Sequence, residues 1–179
     1  MSCNLTRGFK APCNDTIAGI KAIYFGEWED IYGIATFDAS FELDTLPTIT
    51  LYKYEPHRNT GFWNEEPDTN ENGSIFYKNT IGLTLKGLTI MKQVELQSLL
   101  AGRWVAFVQD NQDRIWVVGY WEGLTGMGGS ANGSTGTAKG DLNGYTITLY
   151  GEDKNRSVYC SQFTSVPFDN FPGVTVDDN

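Results

Sequence analysis

The sequence predicts a mainly-β chain: a two-sheet β-sandwich or barrel of about seven strands carrying one α-helix. Three observations lead there. The chain is rich in aromatic residues, with 10 Phe, 9 Tyr and 5 Trp, and these recur with β-branched residues in the period-two pattern of a pleated strand. Only one stretch keeps helical spacing. Strands and helices do not alternate along the chain, which argues against a parallel sheet wound with crossover helices.

The elements follow in order. Ile17 to Phe25 is the first expected strand. Ile34 to Leu43 is the second, with Ile34, Thr36 and Asp38 opposite Ala35, Phe37 and Ala39. Thr48 to Tyr54 alternates Ile49, Leu51 and Lys53 against Thr48, Thr50, Tyr52 and Tyr54. The polar stretch from Glu55 to Ser74, with Pro56, Gly61, Pro67 and Gly73, is too long for a hairpin turn and is expected to be a loop. Alternation resumes from Ser74 to Leu88. Thr89 to Ala101 is the helix, capped by Thr89 and ended by Gly102; Ile90, Met91, Val94, Leu99 and Leu100 form its expected apolar stripe, with Leu96 off it. Trp104 to Val108 and Ile115 to Trp121 form a hairpin about the turn Asp110–Asp113. Trp104 and Trp116 lie on facing strands, and at least one of them is expected to be largely buried. Gly123 to Asp141 is expected to be a glycine-rich loop, and Tyr145 to Tyr150 a strand. Residues 1–160 are then a single β-rich domain with an N-terminal arm, and 161–179, with Pro167 and Pro172, an extended C-terminal tail that packs little.

Composition excludes several function classes. Hydrophobic residues make up 40% and charged residues 20%, so the chain is neither disordered nor membrane-embedded. There is no apolar run of bilayer-spanning length and no apolar signal segment at the start, so folding in a cytoplasm is expected. The net charge of −9 disfavours tight nucleic-acid binding, because phosphate contacts need Lys and Arg. Cys3, Cys13 and Cys160 are too few and too scattered for a disulfide framework or a zinc knuckle, and are read as free thiols, with a Cys3–Cys13 staple in an oxidised particle as the alternative.

Several motifs invite chemistry and fall short of it. Gly126-Met127-Gly128-Gly129-Ser130-Ala131 matches a dinucleotide fingerprint, but Asn132, Gly133, Ser134, Thr135 and Gly136 do not open a helix behind it. Asp68-Thr69-Asn70-Glu71-Asn72-Gly73 resembles the first half of a calcium loop, yet the last ligand position is Asn79 instead of Glu, so no metal is expected. His57, the single histidine, is expected to be exposed beside Pro56 and Arg58. Paired carboxylates such as Glu27, Glu29 and Asp30 suit a glycosidase or sugar site, but clustered acids are more often a solvated face. No catalytic residue and no cofactor is expected.

The candidate site is the polar stretch Glu55–Ser74. It contributes −4 of the net −9, so ordering it in a monomer gains little against about 1–2 kcal/mol of backbone entropy per residue. It also holds Phe62-Trp63, two aromatics that water disfavours. Phe62, Trp63, Glu65 and Glu66 are therefore candidate subunit-contact residues, mobile alone and ordered on a neighbour, or else folded back on their own domain.

The stretch from Thr84 to Asp153 carries a family resemblance. A helix ends in Leu99-Leu100-Ala101-Gly102, then come Arg103-Trp104-Val105-Ala106-Phe107-Val108, a turn, Trp116-Val117-Val118-Gly119 and Gly140-Asp141-Leu142-Asn143-Gly144-Tyr145-Thr146-Ile147-Thr148. With Met1-Ser2-Cys3-Asn4-Leu5-Thr6 and Gly19-Ile20-Lys21-Ala22-Ile23-Tyr24, this resembles the tail tube and tail ring structural proteins of phages of Bacteroidetes, the crAss-like phages included. The resemblance spans about 100 residues in patches. It implies a tail-tube-like fold and a non-enzymatic virion protein, made in the host cytoplasm and built into the phage tail. It also implies a homo-oligomeric ring joined to neighbouring tail or portal-proximal rings, and a lumen that DNA passes through without specific binding and without a membrane. The alternative is a baseplate or fibre carbohydrate-binding module.

Overall fold

The structure is a computed structural model that describes Gly8, residues 17–57 and residues 60–178. The expected N-terminal arm, with Cys3 and Cys13, falls outside the described residues apart from Gly8.

Two strands form the trunk. β1 (Ile20–Glu27) pairs antiparallel with β7 (Arg103–Asp110), Tyr24 opposite Phe107 and Phe25 opposite Ala106. Both are buried on both faces, and their alternation divides the interior. Ala22, Tyr24, Val105 and Phe107 point into a first core; Ile23, Phe25, Ala106 and Val108 point into a second. A strand with apolar residues at every position is what a doubly covered strand requires.

The sheet grows from this trunk in three directions. On the free side of β1 lies β4 (Ile49–Tyr54), and β12 (Val174–Asp177) adds parallel to it. The far edge of β7 is shared. Its second half pairs with β8 (Ile115–Val118), which leads to β11 (Val158–Cys160), β3 (Glu42–Thr45) and β2 (Thr36–Phe37). Its first two residues pair with β9 (Leu124–Ser134), which leads to β10 (Gly144–Asp153), β6 (Ile75–Lys86) and the edge strand β5 (Phe62–Thr69). The short helix α1 (Trp28–Ile31) buries Ile31 in the first core, and α2 (Ile90–Ala101) buries Leu96 and Leu99 in the second. The two helices therefore lie on opposite sides of the β1–β7 pair.

The mainly-β class stands, with corrections. Among the described residues twelve strands form one branched mixed sheet, not closed into a barrel, where about seven in a two-sheet sandwich or barrel were expected. The excess comes from segments read as loops or as single strands. The expected strand Ile34–Leu43 is broken at Asp38, whose carboxylate accepts the backbone N–H groups of Ser40 and Glu42 at 2.8 and 2.9 Å and closes a tight turn. The expected loop Glu55–Ser74 contains β5, in full register with β6 from Phe62 opposite Gly82 to Thr69 opposite Ile75. The glycine-rich stretch is β9, where Gly126 and Gly129 let the strand pass against Leu100 and Thr148 with no room for a Cβ.

The segment 161–179 does not pack loosely. Phe168 and Phe171 are buried in the first core, and β12 is hydrogen-bonded to β4. The helix forms where expected: the Thr89 side chain accepts the Lys92 N–H at 3.3 Å, and the Gly102 N–H bonds Ser98 O at 2.9 Å. Its stripe is split: Leu99 and Leu100 pack on the second core as expected, but Leu96 is buried with them while Ile90, Met91 and Val94 face outward. The hairpin forms too, but Trp116 faces Val108, and Trp104 faces Leu124 and Glu27. Both tryptophans are half-buried against the second core.

Candidate subunit-contact surfaces

The four candidate residues lie on β5 and separate by the strand's alternation. Trp63 and Glu65 turn inward. The Trp63 ring packs on Trp116, centroids 5.8 Å apart, and its Nε1 donates to Asn79 Oδ1 at 3.2 Å. Glu65 has 10% of its side chain exposed. Its carboxylate accepts from Arg156 Nε at 2.9 Å and from the Ser157 N–H at 2.6 Å. Phe62 and Glu66 turn outward. Phe62 is half exposed and lies over Gly82, where no Cβ would fit; Glu66 accepts from Asn64 Nδ2 at 2.6 Å. Trp63 has thus folded back on its own chain, and the pair Phe62 and Glu66 remains for outside contact. The free backbone edge of β5 is blunted by Pro67 and by the charges of Glu66 and Asp68.

Behind β5 sits a buried polar hub. Asn79 is fully buried and Asp153 nearly so. Asn79 Nδ2 donates to Asp153 Oδ2 at 3.3 Å, and the Glu122 N–H donates to Asp153 Oδ1 at 2.8 Å. Burial pushes the Asp153 carboxyl up to about 6, against the opposing pull of the backbone N–H donors of Glu122, Gly119 and Trp121. The hub joins β6, β10 and the β8–β9 turn.

Two apolar surfaces were not anticipated. The first is the outer side of α2, where Ile90 is 83% and Met91 80% exposed, with Leu88 and Val94 beside them. A groove of about 680 Å³ runs between this helix and β4, lined by Tyr54, Pro56, His57, Leu85, Met91 and Leu96 among others. The second is the side of α1 and the β2–β3 hairpin. Tyr32 and Ile34 are exposed there, and Phe41 is 62% exposed with φ at +64°, a backbone conformation that costs a bulky residue. Tyr32 stacks on Trp28 at 4.4 Å, and the Arg103 guanidinium lies 3.5 Å from the Trp28 ring centre. The signal for the first surface was present in the sequence. At 3.6 residues per turn, Ile90, Met91 and Val94 project to roughly the opposite side from Leu96, Leu99 and Leu100, so they are two faces and not one stripe.

The remaining motifs have ordinary structural places. Asp68 pairs with Lys78, and Asn70 Oδ1 accepts the Ser74 N–H at 2.9 Å in the β5–β6 turn. The fingerprint-like glycines lie inside β9 with no helix behind them. His57 is exposed, and its backbone N–H bonds Thr84 O at 2.8 Å. Cys160 is buried, which pushes its thiol up to about 12 and leaves it unreactive. Glu27 and Asp30 share a polar recess of about 280 Å³ with Thr48, Thr50, Tyr52 and Thr175. Among the described residues no group of three His, Cys, Asp or Glu side chains converges on a metal position, and no helix is long and apolar enough to cross a membrane. No protein-family model, no curated protein and no solved structure matches the chain.

Proposed function

We propose that this chain is a non-enzymatic structural subunit of an oligomeric ring in a phage tail, either tail tube or connector, and forms part of the DNA ejection conduit. One observation carries the oligomeric part. α2 is apolar on two opposite sides, and only one of them is covered. A cluster of large side chains left this exposed marks a contact surface. The resemblance of residues 84–153 to tail tube and tail ring proteins supplies the class of assembly. The net charge of −9 suits a wall that DNA slides past without adhering, since adhesion would need clustered cations.

The test is sedimentation and negative-stain microscopy of the purified chain over a rising concentration series. Closed rings of one size are expected. A chain that stays monomeric throughout, or that only binds glycans, would overturn the reading.

The recess holding Glu27, Asp30, three threonine hydroxyls and Tyr52 favours a second reading, a baseplate or fibre module that holds a sugar by hydroxyl–carboxylate bonds. A glycan array discriminates. Saturable binding lost in Asp30→Ala supports the module, and a blank array removes it.

A further inference from the structure

The buried hub behind β5 sets a hydroxyl, a carboxamide and a carboxyl group against one another. Asn79, on β6, is fully buried. Its Oδ1 accepts from two donors, Trp63 Nε1 at 3.2 Å and Ser157 Oγ at 3.3 Å. An indole N–H can only donate, so the atom facing it is the carboxamide oxygen. The amide nitrogen is thereby turned to Asp153 Oδ2, at 3.3 Å. Ser157 lies 78 positions along the chain from Asn79, just ahead of β11. Its backbone N–H is held by the Glu65 carboxylate at 2.6 Å, and the same carboxylate holds Arg156 Nε at 2.9 Å. A nucleophile, a carbonyl with a donor aimed at its oxygen, and an acid on the leaving nitrogen are the parts that acyl transfer requires. Burial raises the Asp153 carboxyl to about 6, so near neutrality part of the population carries a proton to give.

We propose that Ser157 and Asn79 join in an intramolecular ester, a covalent clasp between β6 and the start of β11 that forms with loss of ammonia. Ser157 Oγ adds to Asn79 Cγ, and the seryl proton passes to Oδ1, which the hydroxyl already faces. Trp63 Nε1 stabilises that oxygen in the adduct. Asp153 gives its proton to Nδ2, the C–N bond breaks and ammonia leaves. As the carbonyl re-forms, the proton on Oδ1 replaces the one that Asp153 gave. One carboxamide and one alcohol thus yield one ester and one ammonia, with no oxidant or other co-reactant. Proximity supplies the rate, because groups held together by a fold react as though highly concentrated, and each chain needs a single turnover. Ammonia is lost to solvent, and the burial of Asn79 keeps from the ester the water that would hydrolyse it. The bond closes a long loop, which restricts the unfolded chain. It holds β6, and β5 with it, to the branch of the sheet that runs through β11. The clasp goes beyond the ring reading and does not depend on it.

The test is the intact mass of the purified full chain, followed at neutral pH until it is constant. The native chain is expected to weigh less than its sequence by one ammonia. A digest is expected to contain the Asn79 peptide joined to the Ser157 peptide, and mild alkali to separate the two with the gain of one water. Ser157→Ala removes the nucleophile and Asp153→Asn the proton donor, and each variant is expected to keep the full sequence mass. Thermal melts establish that the variants fold, and the digest of the native chain decides the matter even if one of them does not. A native chain that stays at its full sequence mass overturns the inference. So does an ammonia loss that persists in Ser157→Ala. So does one that maps to Asn72-Gly73, Asn132-Gly133 or Asn143-Gly144, where the glycine backbone nitrogen can displace ammonia to give a cyclic imide. A joined peptide that still forms in Asp153→Asn supports the ester and overturns the role given to the acid.

Discussion

Asp153 is the residue whose environment departs furthest from what its position in the sequence suggests. It ends β10 between the charged neighbours Glu152 and Lys154, yet it is nearly fully buried between Asn79 and the turn Gly119–Glu122. Only the fold brings those partners together, so nothing local reveals them. Burial raises its carboxyl from the ordinary 3.8 to about 6. A folded pKa above the unfolded one contributes stability that is fully present below the unfolded value and is lost as pH rises through about 6. A shift of this size corresponds to about 3 kcal/mol at most. Asp153→Asn stays neutral at every pH. The stability difference between native and variant chains is therefore expected to fall between about pH 4 and pH 6 and to stay level above it. Urea unfolding of both chains across that range checks this, and an equal difference at pH 4 and pH 7 would refute it. Phe41 makes the opposite case for legibility. The turn that holds it is written in Asp38-Ala39-Ser40, a side-chain-closed turn that strand alternation masked. Replacing Phe41 with glycine relieves about 1–2 kcal/mol of left-handed strain and costs about 0.5–1 kcal/mol in chain entropy. The expected outcome is near-native stability, since the ring is 62% exposed. A large loss of stability in the melt would show that the ring is part of the core.

At the scale of elements, α2 and β5 show what alternation and composition reveal and hide. The limits of α2 were legible because caps are local: Thr89 and Gly102 act on backbone groups within four residues. Thr89→Ala is expected to cost about 1 kcal/mol by freeing the Lys92 N–H, measurable as a shift in the denaturation midpoint. Which side of α2 is buried was not legible, because two apolar faces compete and only the tertiary fold selects Leu96 and Leu99. β5 was missed for a different reason. Its inward residues include Trp63 and Glu65, so the inner face carries a charge and the usual apolar period is absent. The charges are satisfied from far along the chain or across the hairpin, Glu65 by Arg156 and Ser157 and Asp68 by Lys78. Pro67 is tolerated because its missing N–H lies on an edge strand. Trp63→Ala is expected to cost about 2 kcal/mol, less than for a fully buried tryptophan. It should also raise amide exchange along β5 while leaving β7 and β8 protected. Uniform exchange along the whole sheet would mean that the strand is not an independently detachable unit.

At the scale of the whole molecule, the last 19 residues decide whether the first core closes. Pro167, Pro172 and the acidic end suggest a trailing tail by composition, and the contrary signal is only Phe168 and Phe171. In the fold these two rings complete the first core. Phe168 meets Tyr24 at 5.0 Å and Phe107 at 5.3 Å, both edge-on, and it does so at φ +69°, a strained backbone held in place by what the ring gains. Asp169 fixes the preceding turn by accepting the N–H groups of Thr164, Ser165 and Val166, which holds its carboxyl down at about 2. The turn therefore keeps its charged cap from neutral pH down to about that value, and the stability tied to it is lost only as pH falls through it. β12 then lies parallel on β4 and covers a strand that would otherwise be an open edge. The segment works as a lid on the first core. Removing it uncovers β4 and the Tyr24 and Phe107 rings, which sit on the trunk strands. Phe168→Ala is accordingly expected to lower stability by about 3–5 kcal/mol. Deletion of residues 162–179 is expected to give a chain that binds hydrophobic dye and loses its cooperative unfolding transition. A truncated chain that unfolds cooperatively at the native midpoint would mean that the segment is an appendage and that the trunk strands hold the first core without it.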